Sequence, residues 1–233
     1  MDRSTKGKLL DLVRRNYNDI VDSFDQSRKK RLWPRLEELT REVKEGESVI
    51  DVGCGNGRLL TGFKNKKINY LGVDFSQELI KKARLNFPGR EFAEGDILDL
   101  GKIPPVGFDH VFCVAVLHHI PGFDLRVQAL KQLKNKAKKE GRIVVVVWNL
   151  WSQSKFRKLI LKYFFLKLFK KNNMDFGDIV FEWKGGSGEE RIRRRYYHAF
   201  TKRELKKIVK KSGLKLESLQ KDNYNYYLII RKN

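Results

Sequence analysis

The sequence predicts an α/β fold, a parallel sheet wound with helices on both faces, and three observations carry that prediction. The first is SVIDVGCGNG, Ser48 to Gly57: the β-branched run Val49, Ile50 and Val52 reads as a strand buried on both faces, and the glycines suit a tight strand-to-helix turn. The second is a hydrophobic strand, Ile68 to Val73, that closes on Asp74 roughly 20 residues later, the offset at which an acid meets a nucleoside ribose. The third is the alternation of strand and helix as far as Trp148, which implies crossovers between parallel neighbours.

Lys8 to Phe24 places Leu9, Leu12, Val13, Tyr17, Ile20, Val21 and Phe24 on a helical stripe that should cover the sheet or a ligand. Trp33-Pro34 marks a turn or helix start, and Leu36 and Leu39 resume the helical period. Arg58 to Lys64 reads as a short helix. Ser76 can cap a helix over Gln77 to Asn86 by accepting an orphan amide hydrogen bond, and Pro88-Gly89 ends it. Glu91 to Glu94 is a third strand, followed by Gly95-Asp96-Ile97. A fourth strand, Phe108 to Val116, ends in Leu117-His118-His119. An amphipathic helix from Asp124 to Lys138 stops before Gly141 and leads to a fifth strand, Arg142 to Trp148. The composition then changes: KFRKLILKYFFLKLFKK is basic, aromatic and roughly helical, and NNMDFGDIVFEWKGGSGEE reads as a loop with a flexible tip. RIRRRYYH begins a basic aromatic strand. Thr201 and Glu204 have capping-box spacing for a helix ending near Gly213, and Leu214 to Leu219 with Tyr226 to Ile230 form a closing strand pair.

A chain of 233 residues has room for one domain, a small insertion and a full core. Its apolar stretch IVVVVWNLW is too short to span a bilayer and MDRSTKGK lacks an apolar signal region, so the expectation is a cytoplasmic protein with no stable membrane insertion. Cys54 and Cys113 offer neither a disulfide framework nor a metal spacing. Against 28 Asp and Glu stand 50 Lys and Arg, a formal net charge of +22. A field of that sign concentrates polyanions, nucleic acid first among them, although a solubility device would leave the same composition.

Glycine lets the main chain adopt left-handed dihedrals and approach a ligand closely, so the turn reads as a binding loop rather than a mere connection. The D-x-G-C-G-x-G series at Asp51 to Gly57 resembles the first motif of class I methyltransferases that use S-adenosyl-L-methionine (SAM), and LGVDFS at Leu71 to Ser76 looks like their ribose-binding strand end. The resemblance implies a Rossmann-like sheet of seven mostly parallel strands whose last strand is antiparallel, with SAM as cofactor. It also implies a cofactor site of Asp51, Gly53, Gly55, Asn56, Gly57, Asp74, Phe75, Asp96, Ile97 and Ala115. In that pattern Asp96 accepts from the adenine amino group while Ile97 meets the ring.

A narrower resemblance runs through both ends of the chain. NYNDIVDSFDQSRKKRLWPRLEEL, the A-V-x-H-H at Ala115 to His119, and the R-Y-Y-H-x-F at Arg195 to Phe200 are similar to segments of the methyltransferases that modify the wobble uridine of transfer RNA. One extra residue between Arg28 and Trp-Pro leaves the register of Lys29 to Arg31 open, and the resemblance omits Trp151 to Glu190. It implies methyl transfer to a carboxymethyl group on carbon 5 of the wobble uridine of tRNA, and a catalytic set of Arg28, His118, His119, Arg195 and Tyr197. A small zinc-binding activator protein is the further partner found with the eukaryotic and archaeal relatives. A carboxylate is already a nucleophile at neutral pH, so the site has to aim and desolvate it, and arginine suits its grip. On an extended strand only Arg195 with Tyr197, or Tyr196 with His198, can share a pocket.

The residues leave alternatives open. Arg28 could sit on the surface of a helical cap. His118 and His119 could pack, or meet substrate or cofactor, but neighbours on one strand point to opposite faces and no third metal ligand is evident, so no metal site is expected. Trp148 could stack on a base or seal the cofactor from water. The basic helix could contact RNA, form a lid, or lie on a membrane. A small-molecule methyltransferase, or a non-catalytic RNA-binding protein with a methyltransferase fold, would share the same core. The expected organisation is a helical cap over residues 1–45, a cofactor-binding core over 46–150, a basic aromatic insertion over 151–190, and a C-terminal part over 191–233 that completes the sheet.

Overall fold

Asp2 starts the first helix, α1 (Arg3–Asp19), by accepting from the Thr5 amide at 2.8 Å. The computed structural model describes residues 1–28, 31–64, 66–104, 107–184 and 192–232. The continuous helix expected to Phe24 is broken at Ile20, whose φ of −114° is not helical, and resumes as α2 (Val21–Ser27). Pro34 occupies the first turn of α3 (Pro34–Arg41), as the Trp-Pro pair predicts.

The core follows as β1 (Ser48–Val52), β2 (Asn69–Asp74), α4 (Gln77–Asn86), β3 (Glu91–Glu94), β4 (Phe108–Val114), α5 (Phe123–Lys136) and β5 (Ala137–Trp148). Ser76 caps α4 through the Leu79 amide. Between β1 and β2 the expected short helix is a 3-10 helix, Arg58–Phe63. Then come α6 (Ser154–Leu168), β6 (Asp178–Lys184), β7 (Ile192–His198), α7 (Lys202–Lys211), β8 (Lys215–Lys221) and β9 (Asn225–Arg231), with Thr201 accepting from the Glu204 amide to cap α7.

Seven strands form one sheet in the order β3-β2-β1-β4-β5-β9-β8; β1 to β5 are parallel, and β9 runs antiparallel to both its neighbours. The Rossmann-like expectation, final strand included, is met. Alternate residues separate two cores. Ile50, Val52, Val111, Cys113, Val145 and Val147 pack with α5 and α7, whereas Val49, Phe112, Val144 and Val146 pack with α3 and α4. The order reverses between β1 and β4, the switch point where an open α/β sheet leaves a crevice at its carboxyl ends.

The insertion departs from expectation. Part of the stretch read as a loop is β6, which pairs antiparallel with β7 from Asp178↔His198 to Lys184↔Ile192. The flexible tip expected at residues 185–190 lies outside the described residues. This ribbon is covered on both faces: Ile179 and Tyr197 pack against Phe156 and Ile160 of α6, and Val180 and Tyr196 against Leu9 and Val13 of α1. Among the described residues no helix is long and apolar enough to cross a membrane.

Candidate active site

The turn after β1 is built from its own main chain. Gly53 and Cys54 donate their amides to the Val73 carbonyl at 2.7 and 3.1 Å, which pins the turn to the end of β2. Gly53 has φ +78°, and a Cβ there would stand 2.1 Å from Cγ2 of Val116. Gly53→Ala is therefore expected to weaken SAM binding by about tenfold or more, left-handed strain alone being worth roughly 1–3 kcal/mol. Calorimetry checks it, and partial recovery in Gly53→Ala/Val116→Ala separates the steric part from the dihedral part.

Asp74 completes the turn. Its carboxylate accepts from the Gly55 amide at 2.9 Å and from the Ser76 amide at 3.0 Å, with 5% of its surface exposed. Burial raises its pKa to about 6 against the pull of these amides. Asp51, beneath it, accepts from the Tyr70 hydroxyl at 3.1 Å and is raised to about 7, by burial first and by the charge of Asp74 in addition. Two buried carboxylates with raised pKa values at a strand-end crevice mark a place where a donor-rich or cationic ligand favours ionisation.

The crevice holds about 820 Å³ of empty volume. Asp51, Gly53, Gly55, Asn56, Asp74, Phe75 and Ala115 of the expected cofactor set line it, and Tyr17, Phe24 and Arg28 of the helical segment close it from above. Ala115 has φ +60°, which ends β4 two residues earlier than the strand expected to Val116. Three expected residues are not among those that line it. Gly57 serves packing, since a Cβ there would meet the Phe87 ring at 2.8 Å. Asp96 is engaged by Arg14 of α1 at 2.7 Å and by the Leu98 amide at 2.9 Å, and Ile97 is buried in the core beneath. The crevice suits SAM: a buried acid, Asp74, stands at the end of β2, and the glycine turn makes a cradle that a side chain would fill.

The histidine pair lies on a 3-10 turn, Leu117–His119, and not on a strand, which corrects the argument from opposite faces: the two rings are 4.4 Å apart. They part in role. His119 lines the crevice and shares a 2.8 Å hydrogen bond with the Tyr17 hydroxyl. His118 lies beneath, fully buried and stacked on Trp148 at 4.8 Å, accepting from the Trp148 amide at Nδ1, while its Nε2 has no hydrogen-bond partner among the described residues. Burial holds both neutral, His119 at about 3 and His118 well below the usual histidine range. Among the described residues no group of three metal ligands forms.

Beyond Tyr17 and His119 a narrow cavity lined by Arg195, Tyr196 and Tyr197 adjoins a second hollow of about 740 Å³ empty volume. Trp33, Trp148, Phe156, Phe181 and Tyr197 wall the hollow, with Arg195 and Lys155 as its cations. Strand alternation on β7 holds for the hollow, which Arg195 and Tyr197 reach together with the Arg195 guanidinium 3.4 Å from the Tyr197 hydroxyl, but not for the narrow cavity, which Tyr196 also lines. Tyr196 and His198 instead bond the buried Asp178 carboxylate at 2.8 and 2.6 Å. Arg28 lies over the Phe24 ring at 5.0 Å and belongs to the cofactor crevice, so the two arginines nominated together stand on different walls. Trp148 faces the hollow and is not among the residues lining the crevice. Sequence reasoning missed Trp33, Phe181 and the Tyr17 hydroxyl. Tyr17 had the signal of a core residue on an amphipathic stripe, and Phe181 fell in the misread loop.

A strand-end crevice with a buried acid, a glycine cradle and a helical cover is the architecture of a SAM-binding α/β enzyme. Residues 22–219 match the family described as "Methyltransferase domain", and the chain belongs to that family. It is similar to the tRNA (carboxymethyluridine(34)-5-O)-methyltransferase of Schizosaccharomyces pombe, 27% identical over 230 residues, which cover 95% of this chain and 96% of that one. With the protein of the same name from Saccharomyces cerevisiae it shares 33% identity over 138 residues, 59% of this chain and 48% of that one. It spans only 21%, 30% and 22% of its mouse, cattle and frog relatives. Among solved structures, a SAM-dependent methyltransferase from Methanosarcina mazei has a TM-score of 0.69 at 19% identity, covering 87% of this chain and 99% of that one. Magnesium protoporphyrin IX methyltransferase from Synechocystis, solved with bound SAH, has a TM-score of 0.62 at 15% identity, covering 95% and 98%. At these identities the likeness is one of fold.

Proposed function

We propose that this SAM-dependent methyltransferase acts on transfer RNA and esterifies the carboxymethyl group on carbon 5 of the wobble uridine. The observation that carries the reading is the aromatic, cation-bearing hollow adjoining the cofactor crevice, in a chain collinear with the fission-yeast enzyme.

SAM, held by Asp74, the glycine turn and Asp51, would supply an electrophilic methyl group. A carboxylate needs no general base, and a site for it gains from groups that stay neutral beside the nucleophile, as buried His119 does. Arg195 suits the grip on the carboxylate, its guanidinium offering two parallel donors. The Tyr197 ring, packed 4.9 Å from His119, 5.0 Å from Trp148 and 5.2 Å from Phe181, gives a base a rigid, dry wall. Arg195→Ala is expected to bind SAM normally and form ester about a hundredfold more slowly, since a charged hydrogen-bond pair is worth roughly 1.5–3 kcal/mol. Normal turnover removes Arg195 from the site.

The same reading makes residues 1–45 a helical cap, 46–150 the cofactor core, 151–190 a basic aromatic insertion that serves as lid or RNA contact and 191–233 the completion of the sheet, in a cytoplasmic protein. β3 and β8 are the sheet edges that a small zinc-binding activator protein would find. Tritiated methyl transfer tests the reading. Transfer to bulk tRNA should fall steeply with salt and be absent with free nucleosides. Equal transfer to nucleosides points to a small substrate, and no SAM binding at millimolar ligand leaves only a non-catalytic RNA-binding protein.

A further inference from the structure

The substrate hollow takes Lys155 and Phe156 into its wall, and these residues open α6, so the helix starts at the rim. Its 15 residues carry it about 22 Å away at 1.5 Å per residue. One stripe, with Phe156 and Ile160, is buried against the β6–β7 ribbon. The outer face is not polar, as a surface helix normally is. Leu161, Phe164, Phe165 and Leu168 are 51%, 42%, 52% and 56% exposed, and Phe169 and Phe176 extend the patch, with the Phe176 ring 5.2 Å from Phe164. Lys155, Lys158 and Lys162 recur at helical spacing in a strip beside it. From Ser154 to Met174 the chain carries seven Lys and Arg and no Asp or Glu.

We propose that α6 and the turn after it bind the single-stranded RNA that flanks the nucleotide in the hollow, with the lysine strip on backbone phosphates and the phenylalanines under unstacked bases. The inference rests on the tRNA reading above and deepens it. A nucleotide in the hollow belongs to a continuous chain, whose neighbours must leave across the rim where α6 begins. Flat rings beside cations, with the adjoining carboxylate, Asp175, already paired to the N-terminal ammonium at 3.0 Å, are what a single strand needs. A second copy of this chain would set one lysine strip near another, which like-charge repulsion disfavours. A lipid surface matches the composition of the helix but gives no reason for its continuity with the hollow.

The test uses the full-length protein and a fluorescein-labelled anticodon stem-loop RNA, with SAM calorimetry as the control for folding. Phe165→Ser/Phe169→Ser should weaken RNA binding about tenfold or more, the loss expected for one or two stacked bases, with little change in salt dependence. Lys158→Gln/Lys162→Gln should lower the slope of log affinity against log salt by about 1.4, roughly 0.7 per phosphate contact. Wild-type RNA affinity in both variants overturns the proposal. So does RNA binding untouched by the phenylalanine pair while binding to phosphatidylserine vesicles, or self-association in sedimentation, is lost. RNA binding that needs α6, without methyl transfer to tRNA, upholds this surface and refutes the esterification reading. Methyl transfer with RNA binding indifferent to α6 does the reverse.

Discussion

Asp74→Ala is expected to weaken SAM binding by about a hundredfold or more while the protein stays folded. The carboxylate offers acceptors for ribose hydroxyls, and charged hydrogen bonds are worth roughly 1.5–3 kcal/mol each. The same carboxylate holds the amides of Gly55 and Ser76 at 2.9 and 3.0 Å, so the variant also loses the shape of the turn. Two orphaned buried amides cost roughly 1–3 kcal/mol each, visible as a lower urea midpoint. The wild type carries the signature in its pH dependence. Ribose donors favour the ionised carboxyl, whose pKa is about 6, so SAM affinity falls as pH drops through that value, whereas Asp74→Asn is flat there. The stability of the free protein moves the other way. Because the folded pKa lies above the ordinary aspartate value of 3.8, the folded state holds the proton more tightly between the two, and this group's contribution to stability rises as pH falls. Unchanged affinity for Asp74→Ala removes Asp74 from the cofactor site.

Arg126→Met is expected to cost about 3–5 kcal/mol, the usual result of removing one partner from a buried ionic network. Arg126 is 1% exposed and donates to the Ile120 carbonyl at 2.9 Å, to Glu204 and Asp178 at 3.1 Å each, and to the Tyr196 hydroxyl at 3.2 Å. His198 places a ring nitrogen on each carboxylate, 2.6 Å from Asp178 and 2.9 Å from Glu204. This cluster ties the β6–β7 ribbon to α5 and α7, and so holds the strand that presents Arg195 and Tyr197. Burial pushes the carboxyls of Asp178 and Glu204 up, but His198 and Arg126 together leave both below the usual range. Their stabilisation is present above the carboxyl pKa of the unfolded chain and is lost as pH falls through the depressed folded values. Urea unfolding across that range measures both effects, and an unchanged midpoint for Arg126→Met contradicts the structural role.

The core is legible in the sequence because parallel strands covered on both faces read as apolar runs, and because strand ends facing a ligand carry glycine and acid. Val49 to Gly57 and Leu71 to Asp74 need no tertiary information to be placed. β6 does not alternate cleanly, since Ile179 and Val180 are buried on opposite faces and Asp178 is buried beside Val180, its partners Arg126 and His198 lying far along the chain. The histidine pair was misplaced because a left-handed alanine, Ala115, ends the strand, and nothing in the residue type announces it. Asp96 shows the same limit: its carboxylate faces Arg14, 82 residues away, on a helix whose course across the crevice only the folded structure reveals.

On the proposed function, the hollow beside the SAM crevice receives the carboxymethyl group of a wobble uridine. Mass spectrometry of nucleosides digested from tRNA, after incubation of carboxymethyluridine-bearing tRNA with the purified protein and SAM, tests it most directly. The acid should be replaced by its methyl ester, a gain of one methylene. Unaltered carboxymethyluridine, with the methyl group on another nucleoside, would contradict it.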